Sequence, residues 1–498
     1  MEDWSGKRVI VIGVARQGIA LARYLANHGA RVVLNDLRPL SELDAARKLL
    51  EGYPFEWVCG GHPLALLEGA DLVCPSGGVP LDLPLVADAR QRGIPLSNDS
   101  QVFLEAAPCR VIGITGSAGK TTTTALVGQI ARAVLAEKGA LAGKGALAGK
   151  SMLAGKDARD KNTEPKTRPD SGREIWVGGN IGAPLIDRVD EMESEDLAVM
   201  ELSSFQLELM TCSPQVAAVL NLTPNHLDRH GTMEAYRAAK LRILQFQNTE
   251  DVAVLGREDP GAWSMAGSAR GRLASFGLEK PDLDETGTYL DRQSGTLMLQ
   301  DPKKASRPID LMPREDIALR GEHNLLNVLA ACAIAHAAQI PVEAMRSAVK
   351  NFRGVPHRLE FVRSWGGADW YNDSIATAPE RVIAAIRSFD EPLVLLAGGR
   401  DKNLPWEAFA DLVNQRVEHL ILFGEAADLI EGAVRSGNRR STLRVTKCAN
   451  LREAVGAASR FLSSGQVVLL SPGGTSFDEF RDFEVRGEAF RKWVMELP

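Results

Sequence analysis

The sequence lacks the features that mark several classes of protein. It has six cysteines in 498 residues and no C-x-x-C pair, so neither a disulfide framework nor a thiolate zinc site is indicated. It has no apolar run of about 18 residues or more, which argues against a membrane-spanning helix. Its first residues show no basic segment followed by an apolar stretch. We therefore expect a cytoplasmic protein without membrane insertion.

The charge balance is equally unremarkable. There are 58 Lys and Arg against 64 Asp and Glu, a net charge of -6. Without a basic excess, a dedicated nucleic-acid binder is not indicated. Hydrophobic residues make up 45% of the chain, enough for several buried cores. At roughly 100–200 residues per domain, the length predicts about three domains.

Short β-branched runs alternate with helix-length segments along the whole chain. Because continuous apolar strands between amphipathic segments are typical of parallel sheets covered by helices, the pattern predicts an α/β protein with several mainly parallel sheets in series. The predicted strands include Arg8–Ile12, Arg31–Asn35, Asp71–Cys74, Arg110–Ile114, Leu197–Met200, Val216–Asn221, Leu393–Ala397, His419–Phe423 and Val467–Ser471. Pro108 and the Gly354–Pro356 stretch suggest boundaries, giving domains 1–107, 108–354 and 355–498.

One segment stands apart from this pattern. Residues 139–156 repeat a six-residue unit as GALAGK, GALAGK and SMLAGK, and polar sequence follows. Frequent glycine and the scarcity of large side chains disfavour a packed structure. We predict a flexible surface insertion over about 138–172; a regulatory or partner-binding element is the alternative.

The clearest local motif is the glycine-rich stretch that follows the strand Arg110–Ile114. It reads TGSAGKT and leads into a helical pattern, although Ile114 stands where the strict phosphate-loop pattern has glycine. Backbone N–H groups in such a turn form an anion site, while a lysine and a hydroxyl serve the phosphates and Mg²⁺. The motif predicts an ATP or GTP site; a merely flexible turn is the alternative. The candidate residues are Gly116, Ser117, Ala118, Gly119, Lys120, Thr121 and Thr122.

A second glycine turn, Gly13–Gly18, follows the first strand. Ala15 replaces the middle glycine of the dinucleotide fingerprint, so hydride chemistry with a nicotinamide cofactor is disfavoured. The diphosphate of a nucleotide sugar suits the same helix start equally well. A purely structural turn remains the third interpretation.

Two further strand ends carry polar residues. Glu201 follows one strand and His226 lies soon after the next, and both ends reach the same sheet edge as the phosphate loop. A carboxylate there suits Mg²⁺. From pattern alone, Glu201 could equally start a helix, His226 could be structural, and Lys240 would be a solvated helix lysine.

The order of motifs along the chain resembles that of the Mur ligases. The motifs are TGSAGKT, ELSSFQ, NLTPNHLDRH, YRAAKLRI, GEHNLLN, GVPHRLE, NDSIATAP, GGRDK and LLSPGGTSFDEF, and they cover the chain except for the repeat insertion. The resemblance implies a Rossmann-like domain for a UDP-nucleotide sugar, a central ATP-binding domain and a Rossmann-like domain for the incoming amino acid. It implies an ATP-dependent ligase that adds D-glutamate to UDP-N-acetylmuramoyl-L-alanine through an acyl phosphate, in cytoplasmic peptidoglycan precursor synthesis.

The resemblance also implies roles for individual residues. Lys120, Glu201, His226 and Lys240 would be catalytic, with Thr121, Glu201, His226 and a carbamylated Lys240 supporting two Mg²⁺ ions. ATP would further contact Asn324, Asn327, Arg358 and Asp373, besides the phosphate loop. The nucleotide-sugar and amino-acid substrates would contact Gly13, Gln17, Gly18, Asp36, Arg38, Ser76, Gly77, Asn180, Ser203, Gln206, Thr377, Lys402, Ser476 and Phe483.

Two positions depart from the pattern of the family. Ala118 stands where the family commonly has Asn, and Ile375 where it commonly has Lys. The second change removes a cation beside the amino-acid site, so a related ligase using L-glutamate or another amino acid is one alternative. A catalytically silent nucleotide-binding homologue is another. We expect a monomer with small-molecule substrates.

Overall fold

The computed structural model describes residues 2–141, 173–180, 182–402, 404–436 and 442–498. These form three sheets, each mainly parallel, which confirms the predicted α/β class. The chain divides into two compact units, one of Met1–Ile317 with Leu326–Asn351 and one of Ala318–Leu325 with Phe352–Pro498. The first two sheets share the first unit, and the domain boundaries at 107 and 354 stay predictions. Beyond Leu141, the predicted insertion lies outside the described residues.

The first sheet has four parallel strands in the order β3-β2-β1-β4. Its strands are nearly all apolar because helices pack on both of their faces. The strands are β1 Arg8–Ile12, β2 Arg31–Asp36, β3 Glu56–Cys59 and β4 Leu72–Pro75. The helices are α1 Arg16–Asn27, α2 Asp44–Leu49, α3 Pro84–Gln91 and α4 Asp99–Ala106.

The second sheet has nine strands in the order β13-β12-β11-β10-β9-β8-β5-β7-β6. They are β5 Arg110–Thr115, β6 Ile175–Gly179, β7 Leu197–Glu201, β8 Val216–Val219, β9 Val252–Gly256, β10 Arg272–Phe276, β11 Thr286–Asp291, β12 Thr296–Gln300 and β13 Ile309–Pro313. The helices are α5 Lys120–Leu141, α6 Ser204–Leu207, α7 Leu227–His230, α8 Met233–Gln245, α9 Pro260–Trp263, α10 Glu322–Ala337 and α11 Val342–Asn351. The first four residues of α10 belong to the second unit.

The third sheet has six strands in the order β14-β15-β19-β16-β17-β18. They are β14 Glu360–Trp365, β15 Ala368–Asn372, β16 Leu393–Gly398, β17 Val417–Phe423, β18 Arg444–Lys447 and β19 Val467–Gly473. Its helices are α12 Pro379–Ile386, α13 Glu407–Arg416, α14 Ala427–Ser436, α15 Leu451–Ser459 and α16 Phe483–Met495.

The antiparallel strands were not predicted. β12 pairs antiparallel with both β11 and β13, and β14 pairs antiparallel with β15. β13 and β14 are edge strands with exposed residues, and β12 has only three apolar residues between Thr296 and Gln300. None of the three has the continuous apolar run that identifies a buried parallel strand.

The strand order of the second sheet reverses at β5. β5 lies between β7 and β8 and is parallel to both, so the chain continues on one side of β5 and then on the other. Because parallel strands end at the same edge, the segments after β5, β7 and β8 meet over a crevice at this point. This topology places the candidate site.

The first two sheets share one continuous apolar core. Polar contacts reinforce it: the Arg23 guanidinium lies 3.0 Å from the Asp187 carboxylate, and Asn98 Nδ2 donates to Gln206 O over 2.7 Å. These contacts join the first sheet to the second within the first compact unit.

In the part of the chain that the structure describes, none of the helices has the length and apolar character that crossing a membrane requires.

Asp196 is the buried polar group whose loss should cost this core most. Its carboxylate is almost fully buried and accepts from Glu174 N, Trp176 Nε1 and Glu193 N at 2.7–3.0 Å. We expect Asp196→Ala to lower the unfolding midpoint by roughly 5 °C, because three donors lose their acceptor. Differential scanning calorimetry measures this, with the exposed Glu195→Ala as the matched control. Equal midpoints for the two variants would contradict the assigned role.

Candidate active site

The loop between β5 and α5 requires glycine at two positions. Gly119 has φ +82°, and a Cβ there would collide with the Asn327 side chain. A Cβ on Gly116 would lie only 2.9 Å from the Cβ of Leu220. The strand, the tight turn and the helix start therefore form the anion-binding arrangement that the sequence predicts.

Asn221, directly after β8, clamps this loop. Its Oδ1 accepts from Ala118 N at 2.8 Å, its Nδ2 donates to Ala118 O at 3.2 Å, and its backbone O accepts from Ser117 N at 3.0 Å. Ser117 Oγ in turn donates to Thr223 O over 2.9 Å. Two of the loop N–H groups expected to bind phosphate thus already donate to Asn221. Asn221 was not among the predicted site residues, although its place at a strand end pointed to the site.

Two lysines meet at the start of the loop. Lys120 Nζ donates to Gly116 O at 2.8 Å and to Ser117 O at 3.3 Å. Lys240 Nζ donates to the same Gly116 O at 3.0 Å and to Thr115 Oγ1 at 3.1 Å. Both ammonium groups therefore share one carbonyl oxygen.

Lys240 is not the solvated lysine that its sequence pattern indicates. It is 1% exposed, and its Nζ lies 4.9 Å from the centroid of the Tyr236 ring. Burial lowers the pKa of Lys240 well below its usual value; the charge of Lys120 adds to this, and Glu201 opposes it. The neutral amine is correspondingly favoured.

Glu201 is the acidic group of the crevice. It is 2% exposed, its Oε2 accepts from Thr121 Oγ1 and its Oε1 accepts from Asn180 Nδ2, both at 2.9 Å. Within the described residues, no three His, Cys, Asp or Glu side chains gather as a metal cluster. A hydroxyl and a single carboxylate nevertheless fit Mg²⁺, which takes its remaining oxygens from substrate phosphates and water.

His226 lies in a different set of contacts. It has a left-handed φ of 53°, and its ring meets the Phe205 ring edge-on at 5.0 Å. Phe205 also contacts the His230 ring, stacked at 5.2 Å, and the Arg229 guanidinium, 4.5 Å from its centroid. Arg229 also donates to Gly78 O and Val79 O of the first sheet's loop. The sequence did not single out Phe205 or Arg229, although both stand in the strand-end motifs.

The first glycine turn gathers its predicted residues at the ends of β1 and β4. Gly13 has φ +92°, and Ser76 Oγ donates to Gly13 O over 2.9 Å. A Cβ on Gly18 would collide with Gly13 O, and one on Gly77 would meet Gln17 Oε1 at 3.6 Å. Gly13, Gln17, Gly18, Ser76 and Gly77 therefore lie close together.

Asp36 and Arg38 form a pair at the end of β2. Arg38 Nε and Nη2 donate to the Asp36 carboxylate at 2.9 and 2.8 Å, and Val14 N donates to it at 2.8 Å. The hydrogen bond from Arg38, helped by the backbone donors, lowers the pKa of Asp36 to about 2. The carboxylate therefore stays ionised beside the glycine turn.

Ser203 and Gln206 cap the short helix α6. Ser203 N donates to Gln206 Oε1 at 3.0 Å, Gln206 N donates to Ser203 Oγ at 3.3 Å, and Gln206 Nε2 donates to Ser100 Oγ at 2.7 Å. Gln206 is buried with its amide engaged in these bonds, and Asn180 is engaged with Glu201.

The second unit holds all four residues that are predicted to contact the incoming amino acid, Thr377, Lys402, Ser476 and Phe483. Lys402 Nζ donates to Thr377 Oγ1 at 3.3 Å, and Ser374 Oγ donates to Phe483 O at 2.8 Å. Ser476 is buried and accepts from Phe480 N through its backbone oxygen at 2.7 Å.

The residues predicted to contact adenine and ribose are divided between the units. Asn324 Nδ2 donates to Arg320 O at 2.8 Å in the second unit, whereas Asn327 accepts from Thr123 Oγ1 at 3.4 Å in the first. Asp373 accepts from Ser471 Oγ at 2.8 Å, and burial raises its pKa to about 7 although Arg358 opposes this.

Comparison with known proteins identifies the class. The chain matches three domain families: a Mur ligase MurD-like N-terminal domain over residues 7–98, a Mur ligase middle domain over 114–335, and a Mur ligase glutamate ligase domain over 357–474. The chain therefore belongs to the Mur ligase family, as its motifs predicted.

Individual relatives narrow the comparison. A UDP-N-acetylmuramoylalanine--D-glutamate ligase of Symbiobacterium thermophilum is 38% identical, over 99% of this chain and 98% of that protein. The enzyme of the same name from Pelotomaculum thermopropionicum is 36% identical, over 100% and 99%. Among solved structures, the UDP-N-acetylmuramate-alanine ligase MurC of Thermotoga maritima shares the fold, with a TM-score of 0.55 at 18% identity over 98% of this chain and 99% of that one.

The clamp on the phosphate loop gives a test of nucleotide binding. We expect Asn221→Ala to weaken ATP binding about tenfold, because the loop loses two hydrogen bonds that hold its shape. Isothermal titration with a non-hydrolysable ATP analogue measures the Kd. Asn351→Ala, at the exposed end of α11, is the control. An unchanged Kd for Asn221→Ala would refute the clamp.

Proposed function

We propose that the protein joins D-glutamate to UDP-N-acetylmuramoyl-L-alanine with cleavage of ATP, a step of peptidoglycan precursor synthesis. The observation that carries the proposal is the convergence of Lys120, Thr121, Glu201 and Lys240 at the ends of neighbouring strands. Family membership and the names of the relatives support the choice of substrates.

The reaction requires two displacements. An oxygen of the alanyl carboxylate attacks the γ-phosphorus of ATP, and ADP leaves. The amine of glutamate then attacks the acyl carbon, and phosphate leaves as the amide forms. The protein's task is to align these groups and to offset their negative charge.

In this proposal the residues around the phosphate loop bind ATP. Lys120 and the amides of Gly119, Lys120 and Thr121 bind the ATP phosphates, and Asn221 holds the loop in shape. Thr121 and Glu201 would hold a Mg²⁺ ion, and His226 would support a second one. Bound there, the ions would supply positive charge to offset that of the phosphates.

The remaining ligands take the sites at the other sheets. The turn Gly13–Gly18 binds the diphosphate of the nucleotide sugar, and the pair Asp36 and Arg38 borders its base. Thr377 and Lys402 bind glutamate. We propose domain boundaries at residues 107 and 354, and a monomer acting in the cytoplasm, where ATP and nucleotide sugars are available.

The deciding experiment is phosphate release with separate amino acids. We expect release only when ATP, UDP-N-acetylmuramoyl-L-alanine and D-glutamate are all present. L-glutamate is the essential second arm, because Ile375 removes a family cation beside this site. Turnover with L-glutamate alone would overturn the assignment of the amino acid, and no turnover with either would overturn the function.

We further propose that Lys240 is carbamylated. Its depressed pKa favours the neutral amine, whose nitrogen bonds to the carbon of CO₂ and releases a proton. The product places a carboxylate-like anion beside Lys120, which would suit a metal ion. Protonation of the amine reverses this, so the carbamate is lost as pH falls through the lowered pKa.

Labelling with ¹³C-bicarbonate tests the modification. We expect a carbamate carbon signal in the wild type and in the exposed control Lys350→Ala, and none in Lys240→Ala. The intensity of the carbamate signal should decrease as the pH of the sample is lowered. A signal that persists in Lys240→Ala would place the carbamate elsewhere.

A further inference from the structure

Three cations converge on one short loop of the second unit. The loop is Ser374–Thr377, between β15 and α12. Arg486 Nη2 donates to Ser374 O at 2.9 Å, Arg381 Nη1 donates to Ile375 O at 3.2 Å, and Lys402 Nζ donates to Thr377 Oγ1 at 3.3 Å. Every acceptor in this set is a neutral oxygen.

Arg486 is the buried member of this group. It is 0% exposed, and its other bonds run to Ser374 Oγ at 3.0 Å and Gly474 O at 3.1 Å. A Cβ on Gly399 would lie 3.0 Å from its Nη1, so it touches the GGRDK loop as well. Burial lowers its pKa to about 10, which leaves it charged at neutral pH. Asp478 and Glu479 act on it only at longer range.

The acidic side chain nearest in sequence is Asp373, which lies near enough for the charge of Arg381 to act on it but makes its hydrogen bonds with other groups. Asp373 accepts from Ser471 Oγ and Leu359 N, and its raised pKa makes it a weak source of negative charge near neutrality. Arg381 and Arg486 both lower the pKa of Lys402, and burial contributes most to that shift. Among the described side chains, no carboxylate forms an ion pair with Lys402 or Arg381.

Positive charge gathered on neutral oxygens favours a ligand with more than one negative group. We propose that Arg381 is a specificity-determining residue, which supplies positive charge for the second carboxylate of the incoming amino acid. This inference rests on the proposed function. Arg381 is bonded to the backbone of Ile375, so its charge stands beside the position where the side chain carries none.

Arg381 is well suited to a test because it is exposed at the first turn of α12. We expect Arg381→Gln to raise the KM for glutamate roughly three- to fivefold, the usual range for an exposed charge interaction. The KM values for ATP and the nucleotide sugar should stay the same. Arg387→Gln, an exposed change at the end of the same helix, is the matched control.

Three further measurements distinguish an electrostatic role of Arg381 from a structural one. Arg381→Lys should keep a KM close to wild type, and Ile375→Lys should restore it in the Arg381→Gln background. The difference between Arg381→Gln and wild type should shrink as ionic strength rises, because salt screens exposed charge. A purely structural role predicts a defect that salt does not change and that neither lysine corrects.

The wild-type assay separates this proposal from the proposed function. If the wild type does not turn over a dicarboxylic amino acid, the function itself has failed. If it does, and Arg381→Gln matches Arg387→Gln in its KM for glutamate, only the role of Arg381 is overturned. A rise in the KM for ATP instead would assign the charge to a phosphate group and also overturn it.

Discussion

The carbonyl oxygen of Gly116 accepts from two lysines, and the candidate site is arranged around this shared contact. Two ammonium groups on one acceptor repel each other, and one of them, Lys240, has almost no access to water. Burial and the charge of Lys120 favour the neutral amine of Lys240, and the charge of Glu201 opposes this. Helix α8 buries Lys240, and the Tyr236 ring lies 4.9 Å from its Nζ. The Glu201 carboxylate at the end of β7 acts on the charge of the same lysine.

In both compact units, cationic side chains of the candidate sites donate hydrogen bonds to neutral oxygens. In the first, Lys120 rests on backbone carbonyl oxygens of its own loop; in the second, Arg381 and Lys402 rest on a carbonyl and a hydroxyl. A carbonyl or hydroxyl oxygen orients a cation but adds no formal negative charge beside it. Phosphate and carboxylate groups arriving at these positions therefore meet positive charge that the fold has already oriented, at little cost in reorganisation.

The sequence allowed the buried, parallel part of the fold to be predicted, because strands covered on both faces are continuous apolar runs. It did not reveal β12, whose apolar run is only three residues long, or β14, whose exposed residues interrupt that pattern. The phosphate loop was visible because glycine is sterically required at Gly116 and Gly119. Lys240 could not be recognised from pattern, since a buried and an exposed helix lysine have the same spacing. The clamp by Asn221 and the contact of Arg229 with Phe205 depend on segments distant in sequence.

The bonds from Arg229 to the loop after β4, and from Asn98 to Gln206, join the first sheet to the strand-end motifs of the second. An exchange of the first 107 residues between relatives would therefore transplant half of an interface. The transplanted piece would bring a foreign loop conformation to Arg229, which bonds backbone oxygens there, and a foreign side chain at position 98 to α6. Chimaeras made at this junction should retain the ligand-binding residues of each part. The contacts between the first sheet and the second should nevertheless be weakened, unless the residues on both sides of these contacts are exchanged together.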